Sequence, residues 1–317
     1  IIVEFVSANP TGPLHAGHGR GACFGDSVAR LLERCGHPVS REFYVNDRGV
    51  QMRLFGDSLA ALAAGAEVPE AGYQGAYVAD WATEMPSGAD PVEWGRERAL
   101  ADQRAVLESL GIVFDAWFSE RSMIESGAVE DTLADLRSAG ATYEDDGALW
   151  LRSSDYGDDK DRVLVKSDGE YTYLLPDVAY HRDKFARAPR LVNVWGADHH
   201  GYVARVHAAV AALGHQPVDL EVAITQMVGL QRAGEEVRLS KRTGEMIELR
   251  EVVGEVGADA ARFTYLLQSV DSSQVFDLDL VASQINENPV FYVQYAHARI
   301  HSIVSRAAEV GIERVPL

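Results

Sequence analysis

The 317-residue chain reads as an α/β protein, with a parallel sheet carrying helices on both faces, an inserted subdomain and a C-terminal helical segment. Three observations predict this. Residues 1–6 form an apolar run of strand length that gives way to the turn-rich 7–13. Ala22, Val28, Leu31, Leu32 and Cys35 then share one helical face, and 39–45 is a second strand-like run. A strand, loop, helix and strand in that order builds parallel pairing, and a phosphate-binding site belongs at the first loop.

Gly36 and Pro38 end the first helix, since glycine favours the left-handed cap and proline cannot continue the turn. Residues 60–90 are rich in Ala, Gly and Pro without a firm period, and 92–110 return to a helical pattern that stops at Gly111. An insertion spanning 60–113 is therefore expected. Strand-like material resumes over 114–118, and 148–152, 162–166 and 171–174 predict a meander turned at Ser167-Asp168-Gly169. Runs 191–195 and 220–224 bracket a helix over 203–213 and restore the alternation of a second parallel half. After Leu249 the pattern is helical to the end, with a long amphipathic stretch over 292–310.

A composition of 47% hydrophobic and 24% charged residues suits one large domain with a smaller appendage, folded as a soluble globule. No run approaches the ~18 apolar residues of a membrane span and no charged leader precedes the first strand, so a cytoplasmic protein without membrane contact is expected. The net charge of -19 opposes a broadly basic nucleic-acid surface but allows a local positive path beside one cleft. Cys23 and Cys35 have no second cysteine pair to complete a zinc site; both are read as buried packing residues, with no structural metal.

The segment Asn9-Pro10-Thr11-Gly12-Pro13-Leu14-His15-Ala16-Gly17-His18-Gly19-Arg20-Gly21 sets two imidazoles around a glycine at the expected helix start. Backbone N–H groups and the helix dipole favour phosphate there, Gly17 lets a base approach the backbone, and the histidines can donate to a transferring phosphoryl group. The plainer reading makes His15 and His18 surface residues and the glycines turn formers. Far downstream, Arg238-Leu239-Ser240-Lys241-Arg242-Thr243-Gly244 is a small basic loop in an acidic chain, where Lys241 could neutralise departing pyrophosphate. A solvated surface loop is its ordinary alternative.

Together the two segments resemble the HIGH and KMSKS signatures of class I aminoacyl-tRNA synthetases. A finer resemblance is to the arginyl-tRNA synthetases, carried by residues 3–12, Tyr44-Val45-Asn46-Asp47, 171–177, Gly196-Ala197-Asp198-His199-His200 and 287–299. The resemblance implies a Rossmann-like catalytic domain over 1–285 and, over 286–317, the start of a truncated helical anticodon-binding domain. It implies an arginine–tRNA ligase that joins L-arginine to ATP, carried as its Mg2+ complex, releases pyrophosphate and charges the acceptor end of tRNA(Arg), acting as a monomer. Members of this family commonly need bound tRNA before they activate arginine.

By the same resemblance His15 and His18 hold the reacting phosphate, and Ser240 and Lys241 the pyrophosphate side. Gly17, Gly196, Asp198 and the backbone at Met227 and Val228 serve ATP. Arginine falls to Glu4, Asn9, Glu120, Tyr173 and Asp177, with Tyr173 as a wall and Asn9 near the substrate backbone. A planar, permanently charged guanidinium is best met by fixed carboxylates. Each acid alone reads equally as a surface carboxylate, and Asp177 as the cap of a helix over 178–185, whereas Glu4 interrupts an apolar strand where an unpaired charge is costly.

Two other functions stay open: a standalone enzyme that adenylates arginine for another acceptor, and a non-catalytic paralogue that binds a nucleotide or an amino acid. Loss of His15, His18 or Lys241 would mark the second, and all three are present. A small nucleotidyltransferase shares the His-x-Gly-His loop but not the downstream segments, and a dehydrogenase would need G-x-G-x-x-G in the first turn.

Overall fold

Strand β1 (Ile2–Glu4) is shorter than the apolar run that announces it, because the backbone turns sharply at Val6. In the computed structural model, which describes residues 1–237, 247–283, 285 and 288–312, the chain continues through α1 (Ala16–Arg34) into β2 (Ser40–Val45). Three helices follow: α2 (Val50–Ala63), α3 (Ala76–Glu84) and α4 (Pro91–Ser109). They close on a small core of their own around Phe55, Leu59, Val78, Trp81 and Ala99. A Cβ on Gly95 would lie 2.6 Å from Leu59, so α4 reaches α2 only because that position is glycine. Asp90 caps α4 by accepting from the Val92 and Glu93 N–H groups, with Pro91 in the first turn.

The chain then forms β3 (Ala116–Ser119), α5 (Glu120–Glu125) and α6 (Ala128–Ser138). An antiparallel sheet of β4 (Thr142–Asp145), β5 (Ala148–Leu151) and β6 (Arg162–Val165) comes next, before α7 (Leu174–Arg187), β7 (Leu191–Gly196), α8 (Val203–Ala212) and β8 (Leu220–Thr225). The last elements are β9 (Val228–Arg232), β10 (Glu235–Val237), α9 (Leu249–Val256), α10 (Ala258–Tyr265), β11 (Gln274–Asp277), α11 (Leu278–Ala282) and α12 (Pro289–Glu309).

The main sheet is parallel throughout, in the order β3-β2-β1-β7-β8. Its direction of growth reverses at β1, where Glu4 lies opposite Glu42 of β2 on one side and Asn193 of β7 on the other. Such a reversal opens a crevice at the carboxyl ends of the strands, the usual ligand position in sheets of this type. Side chains alternate across the sheet: Phe43 and Val45 pack with Phe5, Leu14, Leu249 and Tyr265, while Tyr44 and Phe118 pack with Leu175, Val178 and Ala209. Asp26 of α1 accepts from Arg30, from Arg41 of β2 and from Arg262 of α10, locking three elements to one buried carboxylate.

Four expectations are corrected. Residues 171–174 add no third meander strand: Tyr171 makes a single bridge to Val165, and Leu174 already opens α7, so the meander begins upstream at β4. The region after Leu249 is not wholly helical, because β11 pairs in parallel with β9. Asp177 is no cap, since α7 starts three residues before it. Cys35 is exposed at the end of α1, whereas Cys23 is buried as expected. Among the described residues no helix is long and apolar enough to cross a membrane.

Candidate active site

The exit from β1 is strained. Val6 holds φ 67° and Ser7 φ 44°, and the Ser7 N–H donates to the Phe5 carbonyl at 3.0 Å, closing a three-residue turn about a β-branched residue. Strain of this kind persists only where surrounding structure fixes it. Here the turn throws Ser7 back over the strand end, where its Oγ donates to Glu4 Oε1 at 3.0 Å and accepts from the Tyr44 N–H at 3.1 Å.

Glu4 is buried but not unpaired. Lys184 of α7, fully buried, donates to Glu4 Oε2 at 2.7 Å and to Asn193 Oδ1 at 2.8 Å, with its ammonium 4.2 Å from the Tyr180 ring centre. The Asn193 amide donates in turn to His181 Nε2 at 2.9 Å, and His181 Nδ1 donates to the Asp177 carbonyl at 2.7 Å. This relay fixes one imidazole tautomer. Burial, helped by the Lys184 charge, holds His181 well below the ordinary histidine range, so the ring stays neutral.

Above the relay three acids converge on Tyr44. Burial first, and then the charges of Glu120, Asp177 and Glu4, push the Tyr44 phenol far up. Burial raises Glu120 despite the opposing charge of Arg48. Asp177 is pushed up to about 6 by burial and by the charges of Glu4 and Glu120, against the Tyr202 hydroxyl donating at 2.6 Å and the charge of Lys184. A site that makes carboxylates costly to ionise is one that a cationic ligand stabilises.

The same loop leads to the two histidines. His15 N–H donates to His18 Nδ1 at 3.1 Å and the rings lie against each other with centres 3.7 Å apart and planes tilted by 31°. Because Nδ1 accepts, the proton of a neutral His18 ring lies on Nε2, the orientation of a donor. A Cβ on Gly17 would fall 2.9 Å from the His15 ring, which explains the glycine between them. The loop is tied down from behind: Gln103 of α4 donates to the Asn9 and Gly12 carbonyls at 3.0 and 2.9 Å, Tyr77 to the Thr11 carbonyl at 2.8 Å, and Tyr265 to the Ala16 carbonyl at 2.7 Å. The Asn9 side chain donates to Gln51 of α2 at 2.6 Å.

Gly196 ends β7, and Asp198 folds back over it so closely that a Cβ there would lie 2.7 Å from the carboxylate; Asp198 also pairs with His199 at 3.1 Å. Met227 is 76% exposed and Val228 is buried at the start of β9. Tyr173, the residue before α7, is 92% exposed. Ser240 and Lys241 lie outside the described residues. Among the described residues no group of three or more His, Cys, Asp or Glu is arranged to hold a metal ion.

The sequence reading missed Ser7, Tyr44, Lys184, Asn193 and Tyr202. One signal was available: Asp177, His181 and Lys184 recur at spacings of four and three, a polar stripe on a helix whose other residues 174–180 are apolar apart from Tyr180. Asn193, isolated in an apolar strand, reads as a charge partner only once β7 is known to lie beside β1.

The family model described as "tRNA synthetases class I (R), catalytic domain" matches residues 1–67 and 102–304. An arginine–tRNA ligase of Halalkalibacterium halodurans is 48% identical over 98% of this chain, and one of Desulfosudis oleivorans is 49% identical over 99%. The chain spans 59% and 60% of the lengths of those two relatives. Among solved structures, a Campylobacter jejuni chain assigned as an arginyl tRNA synthetase superposes with a TM-score of 0.87 at 39% identity, covering 97% of this chain and 71% of that one. Arginyl-tRNA synthetase of Thermus thermophilus gives 0.79 at 21% identity, covering 100% and 66%, a likeness of fold alone.

Proposed function

The chain belongs to the arginine branch of the class I tRNA synthetases, as their catalytic domain, and from that premise we propose that it activates L-arginine with ATP and passes the arginyl group to the acceptor end of tRNA(Arg). The observation that carries the proposal is that Glu4 of β1, Glu120 of α5 and Asp177 of α7 all act electrostatically on Tyr44, where β1 runs out into the loop that leads to His15 and His18. Three carboxylates around one buried phenol, with a single buried ammonium beneath them, leave a negative pocket that a guanidinium fills and neutralises.

In this reading the arginine carboxylate attacks the α-phosphorus of ATP, the bond to the β,γ-diphosphate breaks, and pyrophosphate departs. His15 and His18 donate to the phosphoryl oxygens as charge develops on them. Gly17 and the backbone at Met227 and Val228 take the adenine, Gly196 and Asp198 the ribose, and Ser240 and Lys241 the leaving pyrophosphate. Mg2+ arrives with ATP and takes its ligands mainly from the phosphates. Asp177 and Glu120 receive the guanidinium, Asn9 lies near the amino-acid backbone, and Tyr173 forms a wall of the pocket. Glu4, whose two oxygens already accept from Ser7 and Lys184, holds the floor of the site.

The proposal divides the chain into a catalytic domain over 1–285, interrupted around 60–113, and the opening of a helical tRNA-binding domain from 286, acting as a cytoplasmic monomer. Arginine-dependent exchange of labelled pyrophosphate into ATP tests it, with and without tRNA(Arg) and with lysine as the control. Exchange with arginine alone among the amino acids supports the assignment. Dependence on tRNA favours the ligase, equal exchange without tRNA favours a standalone adenylating enzyme, and silence in every condition rejects activation by this span.

A further inference from the structure

Arg20 stands one turn into α1 and is fully buried. Its guanidinium donates to four backbone carbonyls: Nη1 to Ser272 at 2.7 Å and Gln226 at 3.2 Å, Nη2 to Ser269 at 2.6 Å and Gln268 at 3.4 Å. Burial pulls its pKa down, and the charge of Asp271 opposes the shift. Carbonyl dipoles therefore carry most of the compensation for a desolvated charge. An apolar side chain would fill the same space at lower cost, so the cation earns its place by geometry: it fastens three separate stretches of chain to one fork.

Those stretches are the phosphate-side helix α1, the Gln226-Met227 link between β8 and β9, and the 268–272 turn after α10. The last two also grip each other, because Gln226 N–H donates to the Val270 carbonyl at 2.8 Å and Gln274 N–H donates to the Met227 carbonyl at 3.0 Å. A displacement of the link alone would have to break both sets of bonds, and a joint displacement of link and turn away from α1 all four bonds of Arg20. The link itself is short and irregular; the β9–β11 pairing that starts at Val228 and Gln274 holds it sideways, and Arg20 ties it down to α1.

We propose that Arg20 is a positioning residue for nucleobase selection: it locks the backbone at Met227 and Val228 to the helix bearing His15 and His18, so that base and α-phosphate are held at one fixed separation. The role rests on the ATP site assigned above. It acts on ATP only, since the arginine pocket hangs from Lys184 and Tyr202 and makes no bond to Arg20.

The test compares the full chain with its Arg20→Lys and Arg20→Gln variants by calorimetric titration of ATP and of GTP, by thermal melting, and by the Michaelis constants for ATP and arginine in pyrophosphate exchange. Arg20→Lys keeps a buried cation but loses the fork, and should fold while ATP affinity falls about tenfold, GTP affinity stays level and the arginine constant moves less than about twofold. Equal losses for ATP and GTP, or an arginine constant that follows the ATP constant, would make Arg20 a general clamp and overturn the proposal. Should Arg20→Gln fail to fold, Arg20→Lys and hydrogen exchange of the unaltered chain carry the test: ATP should protect 226–229 and 268–272 together, and protection of one stretch alone rejects the coupling. An unaltered chain that binds ATP and GTP equally rejects the adenine site itself, and this role with it.

Discussion

Asp177 has the environment of a group that waits for a counter-ion. Its pKa of about 6 lies above the ~3.9 of a free aspartate, so between these values the folded chain binds the proton more tightly than the unfolded chain does. The stability this contributes is full below pH ~3.9 and is lost as pH rises through about 6, so at neutral pH the charged carboxylate weakens the fold by an amount on the order of 3 kcal/mol. Asp177→Asn should consequently raise the melting temperature at pH 7 while raising the Michaelis constant for arginine about 10–100-fold and leaving that for ATP nearly level. Unmodified protein should lose arginine affinity as pH falls from 7 to 5 and should release protons on binding arginine near pH 6; equal changes in the two Michaelis constants would reject the guanidinium role. His18→Ala should slow adenylate formation about 10²–10³-fold in single-turnover assays, since the loss is one of transition-state donors. These residues were legible because each breaks a local pattern: His15 and His18 crowd a glycine, and Glu4 interrupts an apolar strand. Lys184 was not, because a lysine three residues past a histidine on a helix looks like a solvated face until its helix is seen buried against β1 and β7.

At the level of elements, two buried charges hold the sheet to its helices, and they should respond differently to repair. Lys184→Met removes the only cation within bonding distance of Glu4 among the described residues and leaves a buried carboxylate, a change that costs about 3 kcal/mol or more in chemical denaturation. The Lys184→Met/Glu4→Gln pair should recover most of that stability, since both charges are then gone; failure to recover would mean that the ammonium stabilises chiefly through Asn193 and the Tyr180 ring. Asp26→Ala, by contrast, takes one shared acceptor from α1, β2 and α10 but strands no guanidinium, since Arg41 keeps Glu33 and Arg30 and Arg262 keep the Gly111 and Leu110 carbonyls, so it should cost less, about 1–2 kcal/mol. The elements themselves were readable where local signals were strong: α1 by its periodic face, α4 by Asp90-Pro91 at its start and Gly111 after its end. Strand β11 was not, because its four residues show only a short alternation and become a strand by pairing with β9, more than forty residues away in sequence.

For the molecule as a whole, charge and connectivity set what this span can do by itself. Parallel pairing was implicit in the alternation of strands and helices, and an insertion and a meander were legible as interruptions of it, but the order β3-β2-β1-β7-β8 and the separate core of α2–α4 depend on contacts that no window of sequence reveals. A net charge of -19 acts over the entire surface, whereas a tRNA acceptor end needs only a narrow positive track near the two histidines. Few counter-ions are then released on binding, and the long-range field opposes approach, so tRNA(Arg) should bind this 317-residue span weakly, with dissociation constants above the micromolar range and a shallow salt dependence equivalent to about two or three phosphate contacts. Filter binding between 50 and 200 mM salt measures this slope directly. If affinity rises when salt is raised from very low values, screening of the acidic surface governs the encounter; a steep fall of about 10³-fold or more would instead reveal a broad basic interface and contradict the charge argument. The same titration with a full-length relative as reference assigns the difference in slope to surface that lies beyond this span, since the relatives run on for roughly two-fifths of their length outside the matched region.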